Sequence, residues 1–97
     1  MAYAIFEVSK ENIRIIDTLK QDDLISRQSI YVRDAASLNM EGNALYLKIE
    51  GDEQAVRRAY EMYGKATALD GEKKERINKE FIGDEEKASE GMGFIFG

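Results

Sequence analysis

The segment "EGMGFIFG", Glu90 to Gly97, combines glycines with apolar and aromatic side chains and is the first stretch to test for chemistry. Glycines allow backbone N–H groups to approach a phosphate, as in dinucleotide-binding loops. Of the three glycines Gly91, Gly93 and Gly97, the third does not have the spacing of a dinucleotide-binding loop. Such a loop must also open a helix within a strand–helix–strand unit. A phosphate-binding loop is therefore disfavoured.

The same segment partly matches the base-stacking strand of an RNA-recognition motif. Gly91, Gly93 and Phe94 agree with that pattern, whereas Glu90 replaces its cation and Met92 replaces a stacking ring. RNA or nucleotide binding on a sheet face is therefore an alternative function. The favoured interpretation is a last strand whose apolar side chains are covered by the protein's own helices or by another chain.

Basic residues on two predicted helices form the candidate anion-binding set. Its members are Arg57, Arg58, Lys73 and Lys74. Glutamates at positions 61, 72 and 75 are interleaved with them, which favours a solvated face with weak ion pairs.

Catalytic chemistry has few candidate residues, since the chain contains no histidine and no cysteine. The acidic stretches Asp22-Asp23 and Asp84-Glu85-Glu86 offer oxygen ligands, so a Mg²⁺-assisted hydrolase is a further alternative. Neither stretch has the spacing of a calcium loop. We assign no catalytic residue, metal ligand or cofactor from the sequence.

The composition limits the partners and the size of the fold. A chain of 97 residues suits a single domain, 1–97, and a net charge of −5 disfavours non-specific binding to nucleic acid or anionic membranes. No apolar run reaches the roughly 18 residues of a membrane span, and no signal peptide is recognisable. The expected location is the cytoplasm.

Alternating or continuous apolar residues predict strands at "YAIFEV", "SIYVRD" and "ALYLKIE". Helical spacing predicts helices at "NIRIIDTLKQ", "DEQAVRRAYEMYGKAT" and "EKKERINKEFIG". Gly42-Asn43 favours a turn between the second and third strands, which are expected to form a hairpin.

These elements predict an α+β fold, namely a ferredoxin-like (split β-α-β) two-layer sandwich in the order βαββα(α)β. Its helices would cover one face of an antiparallel sheet. Residues 83–91 are interpreted as a flexible acidic connection before a C-terminal strand. A three-stranded sheet with a tail is the alternative.

The stretches "LISRQSIYVRDAASL" and "LYLKIEGDEQAVRRAYEMYG" resemble one of the small uncharacterised protein families of hyperthermophilic archaea. That resemblance implies a compact, cytosolic, thermostable α/β protein and assigns no activity. The outline of "EGNALYLKIEGDEQAVRRAY" is also similar to the Pcc1-type subunit of the archaeal tRNA-modification complex, which dimerises and bridges larger partners. The extra helix and final strand depart from that outline.

The sequence as a whole favours a non-enzymatic interaction or oligomerisation module. Its expected partner is a second copy or another protein, with RNA as the alternative and no membrane. The candidate interaction residues are Ile77, Phe81, Met92, Phe94 and Phe96.

Overall fold

The computed structural model describes the backbone of residues 2–64 and 67–96, and the side chains of this part except those of residues 64 and 84–96. The strands are β1 (Ala2–Val8), β2 (Ser29–Asp34) and β3 (Leu45–Gly51), and the helices are α1 (Arg14–Gln21), α2 (Glu53–Ala59) and α3 (Gly71–Phe96). Short helical turns lie at Lys10–Asn12, Ile25–Arg27, Ala36–Leu38 and Tyr60–Gly64. The radius of gyration is 13.7 Å, close to the value of about 13 Å for a compact chain of this length.

The three strands form one antiparallel sheet in the order β1-β3-β2. Tyr3 lies opposite Glu50 in the first pair, and Tyr31 lies opposite Lys48 in the second. The predicted hairpin of β2 and β3 is confirmed. Because both outer strands are antiparallel to β3, β1 and β2 run parallel, and the connection between them contains α1.

One face of the sheet packs against α1 and α2. Its buried core consists of alternate residues of β1 and β3, the apolar stripes of both helices and the first residue of the turn before β2: Ala4, Phe6, Val8, Ile16, Leu19, Ile25, Leu47, Ile49, Val56 and Ala59. Burying one Leu or Ile side chain contributes about 1.5–3 kcal/mol. The alternation read from the sequence therefore identifies the side of β3 that faces α1 and α2, while Tyr46 and Lys48 on its other side are buried as well.

The opposite face packs against α3 and the turn that follows β2. Ile5 and Tyr46 of the sheet are buried together with Leu38, Ile77 and Phe81. Helices thus cover both faces, whereas we expected them on one face only. The reason is that Ile5 and Tyr46 are large side chains on this second face, and the short apolar stripe of α3 buries them.

The predicted C-terminal strand is wrong, because the backbone of α3 continues to Phe96. Residues 72–90 are rich in Glu and Lys and contain no proline, which favours a continuous helix. The expected acidic connection at 83–91 lies within the same helical backbone, and its side chains are outside the described part. No helix among the described residues is long and apolar enough to cross a membrane.

Candidate functional site

The outer edge of β2 is the first candidate site, and its hydrogen-bonding groups follow from the pairing with β3. The N–H of Ala35 donates to the carbonyl of Ala44 at 3.1 Å, so these opposed residues form a hydrogen-bonded pair. In an antiparallel ladder such pairs alternate with pairs that are not bonded. Counting back along the register, the N–H and C=O groups of Ile30, Val32 and Asp34 point away from β3.

This edge has few of the features that normally prevent strands from pairing. β2 contains no proline, lysine or glycine, and its register with β3 runs without a bulge from Ser29 to Asp34. Between residues 2–64 and 67–96, no described backbone hydrogen bond is made on its outer side. Arg33 Nη1 donates to the Val32 carbonyl at 2.8 Å, so a side chain satisfies that acceptor.

Two capped turns hold β2 at its ends. Before it, Asp22 Oδ1 accepts the N–H groups of Leu24 and Ile25, and Arg58 Nε lies 2.6 Å from Asp22 Oδ2. The Ile25 N–H and then Arg58 lower the pKa of Asp22. After β2, Asp34 Oδ1 accepts the Ser37 N–H at 2.8 Å, and hydrogen bonds from Ser37 lower the pKa of Asp34.

Gln28 connects the start of β2 to the end of β3. Its Oε1 accepts the Asp52 N–H at 3.0 Å, and its Nε2 donates to the Leu24 carbonyl at 3.2 Å. Gly51 has a φ of +156° and leaves room for this amide, since a Cβ at position 51 would collide with the Gln28 side chain. A contact between loops, made by the residue just before β2, therefore positions the edge strand.

The other edge of the sheet, along β1, is partly closed. The N–H of Leu69 donates to the Ile5 carbonyl at 2.8 Å, and Ala68 forms an isolated antiparallel bridge with Phe6. The chain between α2 and α3 thus provides a short stretch of strand-like pairing. Tyr60, earlier in the same connection, packs its ring 5.7 Å from that of Phe6.

A buried lysine lies in the layer between the sheet and α3. Lys48 is 2% exposed, with its Nζ 5.7 Å from the ring centres of both Tyr3 and Tyr31. The carboxylate oxygen Glu50 Oε2 lies 3.8 Å from Lys48 Nζ. Aromatic faces stabilise a cation at such distances. Because the Lys48 side chain is enclosed, it has a structural role and is not an exposed nucleophile.

The side-chain oxygen Asn78 Oδ1 is buried without a hydrogen-bond partner among the described groups.

A polar cluster joins β1, β3 and α3 beside a cavity of about 480 Å³. Glu7 Oε2 accepts hydrogen bonds from Lys73 Nζ at 3.0 Å and Tyr46 Oη at 3.4 Å. Burial, followed by the Glu7 charge, raises the pKa of Tyr46, and the hydrogen bond to Glu7 raises the pKa of Lys73. At neutral pH the phenol stays protonated and the amine stays charged, so neither is activated as a base.

The structure separates the predicted anion-binding residues. Arg57 is exposed on α2, and Arg58 is paired with Asp22 on the side of the sheet covered by α1 and α2. Lys73 is paired with Glu7, and Lys74 Nζ lies 4.4 Å from the Tyr3 ring centre on the opposite side. These four residues do not come together as a single anion-binding set.

The candidate interaction residues divide into two groups. Ile77 and Phe81 are buried in the protein's own core at 0% and 1% exposure, so they are not available to a partner. Met92, Phe94 and Phe96 lie outside the described side chains. Within the described residues, no group of three or more acidic side chains could hold a metal ion.

Sequence reasoning missed the edge of β2. The available signal was an apolar triplet, Ile30 to Val32, in a strand without proline, glycine or lysine. Comparisons of the chain with models of protein families, with curated proteins and with solved structures find no match.

Proposed function

We propose that the protein is a non-enzymatic interaction module that self-associates through the outer edge of β2. In this assembly β2 pairs antiparallel with β2 of a second copy, and the two sheets become one. The observation that carries the proposal is the row of outward N–H and C=O groups at Ile30, Val32 and Asp34, which no described backbone group bonds and in which Arg33 Nη1 bonds the Val32 carbonyl. Such a row is a template for another strand, and two-fold symmetry is the commonest solution for identical chains.

A second copy suits this edge because the strand can complement itself. Ile30 and Val32 lie on the face that packs against the α1/α2 core and are only half-buried there. Tyr31 lies half-buried on the other face. An identical strand brings further apolar side chains beside each of them, and such cross-strand pairs contribute about 0.2–1 kcal/mol each.

The test is the mass of the protein in solution, measured by light scattering and sedimentation over a wide concentration range. We expect twice the chain mass of 11.0 kDa for the parent protein. Val32→Pro should return the mass to that of one chain. It removes an outward N–H that the β3 ladder does not use, and proline is tolerated in an edge strand.

Val32→Ala is the matched control, because it shortens the same side chain and keeps the N–H. It should remain dimeric, while circular dichroism verifies that both variants are folded. A parent protein that stays at 11.0 kDa up to millimolar concentration would reject the proposal. A folded Val32→Pro variant that keeps the parent's dimeric mass would also reject it.

We further propose a ferredoxin-like arrangement in which the fourth strand is reduced to Ala68 and Leu69. The strand order β1-β3-β2 and the Ala68 bridge on the outer side of β1 support this proposal. The cytoplasmic location and the hyperthermophilic origin stay predictions. RNA or nucleotide binding on the sheet and Mg²⁺-assisted hydrolysis gain no specific observation from the described residues, and we do not propose them.

A further inference from the structure

Resting on the proposed self-association, we infer that the two copies pair about a two-fold axis at Tyr31, which brings each Tyr31 opposite its own equivalent. A two-fold axis perpendicular to the sheet keeps each face of one copy continuous with the same face of the other. Opposed residues must then come from the same face, and side chains alternate between faces with a period of two. One residue must therefore lie directly opposite its own equivalent in the second copy, with the two-fold axis midway between them.

The pairing at Tyr31 uses the outward groups of both strands. Ile30 lies opposite Val32 of the second copy, and each of these two equivalent pairs exchanges two backbone hydrogen bonds. Tyr31 becomes the central pair without hydrogen bonds, in which the Cα atoms approach to about 4.5 Å. Apolar residues then face apolar residues on one side of the sheet, and aromatic rings meet on the other.

The neighbouring registers are less favourable. An axis at Val32 sets Ile30 against the Asp34 carboxylate of the second copy, and an axis at Arg33 sets two guanidinium groups against each other. An axis at Ile30 would need the backbone N–H of Gln28, which is already donated to the Ile25 carbonyl at 3.0 Å. An axis at Tyr31 avoids both side-chain conflicts, and Gln28 meets Asp34 of the second copy only at the outer end of the ladder, beyond the two Ile30–Val32 pairs.

This register has a consequence for the buried lysine. Lys48 lies opposite Tyr31 within each copy, with its Nζ 5.7 Å from the ring centre. Pairing the two Tyr31 residues produces a row across the joined sheet in which the central pair of rings is flanked on both sides by Lys48. The second copy thus continues the aromatic surroundings of each ammonium group.

Single-cysteine variants test the register directly, because the natural chain contains no cysteine. Under mild oxidation with a glutathione buffer, Tyr31→Cys should form a disulfide-linked dimer about ten times faster than Val32→Cys, since disulfides need Cα atoms within roughly 7 Å. In the inferred register the two Val32 positions are offset along the strands and lie farther apart. Ser37→Cys, at an exposed position outside the strand, measures cross-linking by random collision.

A second measurement leaves Tyr31 in place. Ser29 lies opposite Arg33 of the second copy in this register, so an equimolar mixture of Ser29→Cys and Arg33→Cys should give mainly the mixed disulfide. Faster cross-linking of Val32→Cys in a protein of dimeric mass would overturn the register and leave the proposed function standing. A monomeric parent protein whose variants react no faster than Ser37→Cys would reject both.

Discussion

The two edge strands of the sheet pair with the same central strand but differ in what bonds their outward backbone groups. Along β1, the outward carbonyl of Ile5 receives the Leu69 N–H at 2.8 Å. Along β2, the outward carbonyl of Val32 receives a guanidinium group at 2.8 Å, and the described backbone makes no further bond there. The backbone of the same chain thus bonds an outward carbonyl of β1, whereas a side chain, which a second strand can displace, bonds an outward carbonyl of β2.

The difference shows that a short connection can close an edge without forming a strand. Ala68 and Leu69 belong to no named element, yet they occupy the outer side of β1 before the chain turns into α3. α3 then packs against the sheet through Ile77 and Phe81. Closure of the β1 edge and packing of α3 are therefore expected to depend on each other.

The largest effect is expected from Phe81→Ala, which removes the main anchor of the helix that follows the closed edge. Phe81 is 1% exposed, and truncating such a phenylalanine costs about 3–5 kcal/mol of unfolding free energy. Urea unfolding followed by circular dichroism measures this loss. Ile82→Ala is the matched control, because Ile82 is 41% exposed and surface truncation changes stability by about 0.5 kcal/mol. Equal losses in the two variants would contradict the packing of α3.

A smaller effect compares the two edges by the same chemical change. Leu69→Pro removes the donor to Ile5, whose carbonyl belongs to a fully buried residue, and an orphaned buried acceptor costs about 1–3 kcal/mol. Val32→Pro removes an N–H that has no described partner within the chain. Its loss of unfolding free energy should therefore be smaller than that of Leu69→Pro by the cost of the orphaned acceptor. Unfolding at concentrations where the parent is monomeric measures both. Equal costs would mean that the β1 edge is not closed by Leu69.

The smallest expected effect is a difference in how the two edges respond to pH. The pKa values of Asp22 and Asp34, which cap the turns on either side of β2, are lowered in the folded protein. Their stabilisation is therefore present above the ordinary aspartate pKa of 3.8 and is lost as pH falls below it. Asp34→Asn should reduce the acid-induced fall in melting temperature, whereas Asp23→Asn, at an exposed position beside Asp22, serves as its control.

For the titratable groups beside β1, stability is lost as pH rises and not as it falls. The pKa values of Tyr46 and Lys73 are raised, so their contribution is complete below about pH 10 and is lost as pH rises above their ordinary values of 10.0 and 10.5. Tyr46→Phe should flatten the alkaline fall in melting temperature and leave the acid side unchanged. An alkaline profile identical to that of the parent would exclude this contribution.

Much of the local structure could be predicted from particular residues. Leu45, Leu47 and Ile49 alternate with polar residues and form β3, and Asp52 precedes α2 as expected. The placement of α3 was not predicted, because Ile77 and Phe81 give only a short apolar stripe that fits a partner as well as the protein's own sheet. Which of the two they contact depends on Ile5 and Tyr46, which are distant in sequence.

The candidate site also combines features that the sequence predicts with features that depend on the tertiary structure. The alternation in "SIYVRD" determined by itself that Ile30 and Val32 share a face and that Tyr31 lies on the other, because side chains in an extended strand alternate. Only the tertiary structure decided that β3 lies between β1 and β2, that Leu69 closes one edge and that the other edge stays open. A strand's backbone carries the same N–H and C=O groups at the centre and at the edge of a sheet, so its position depends on which remote segments pair with it.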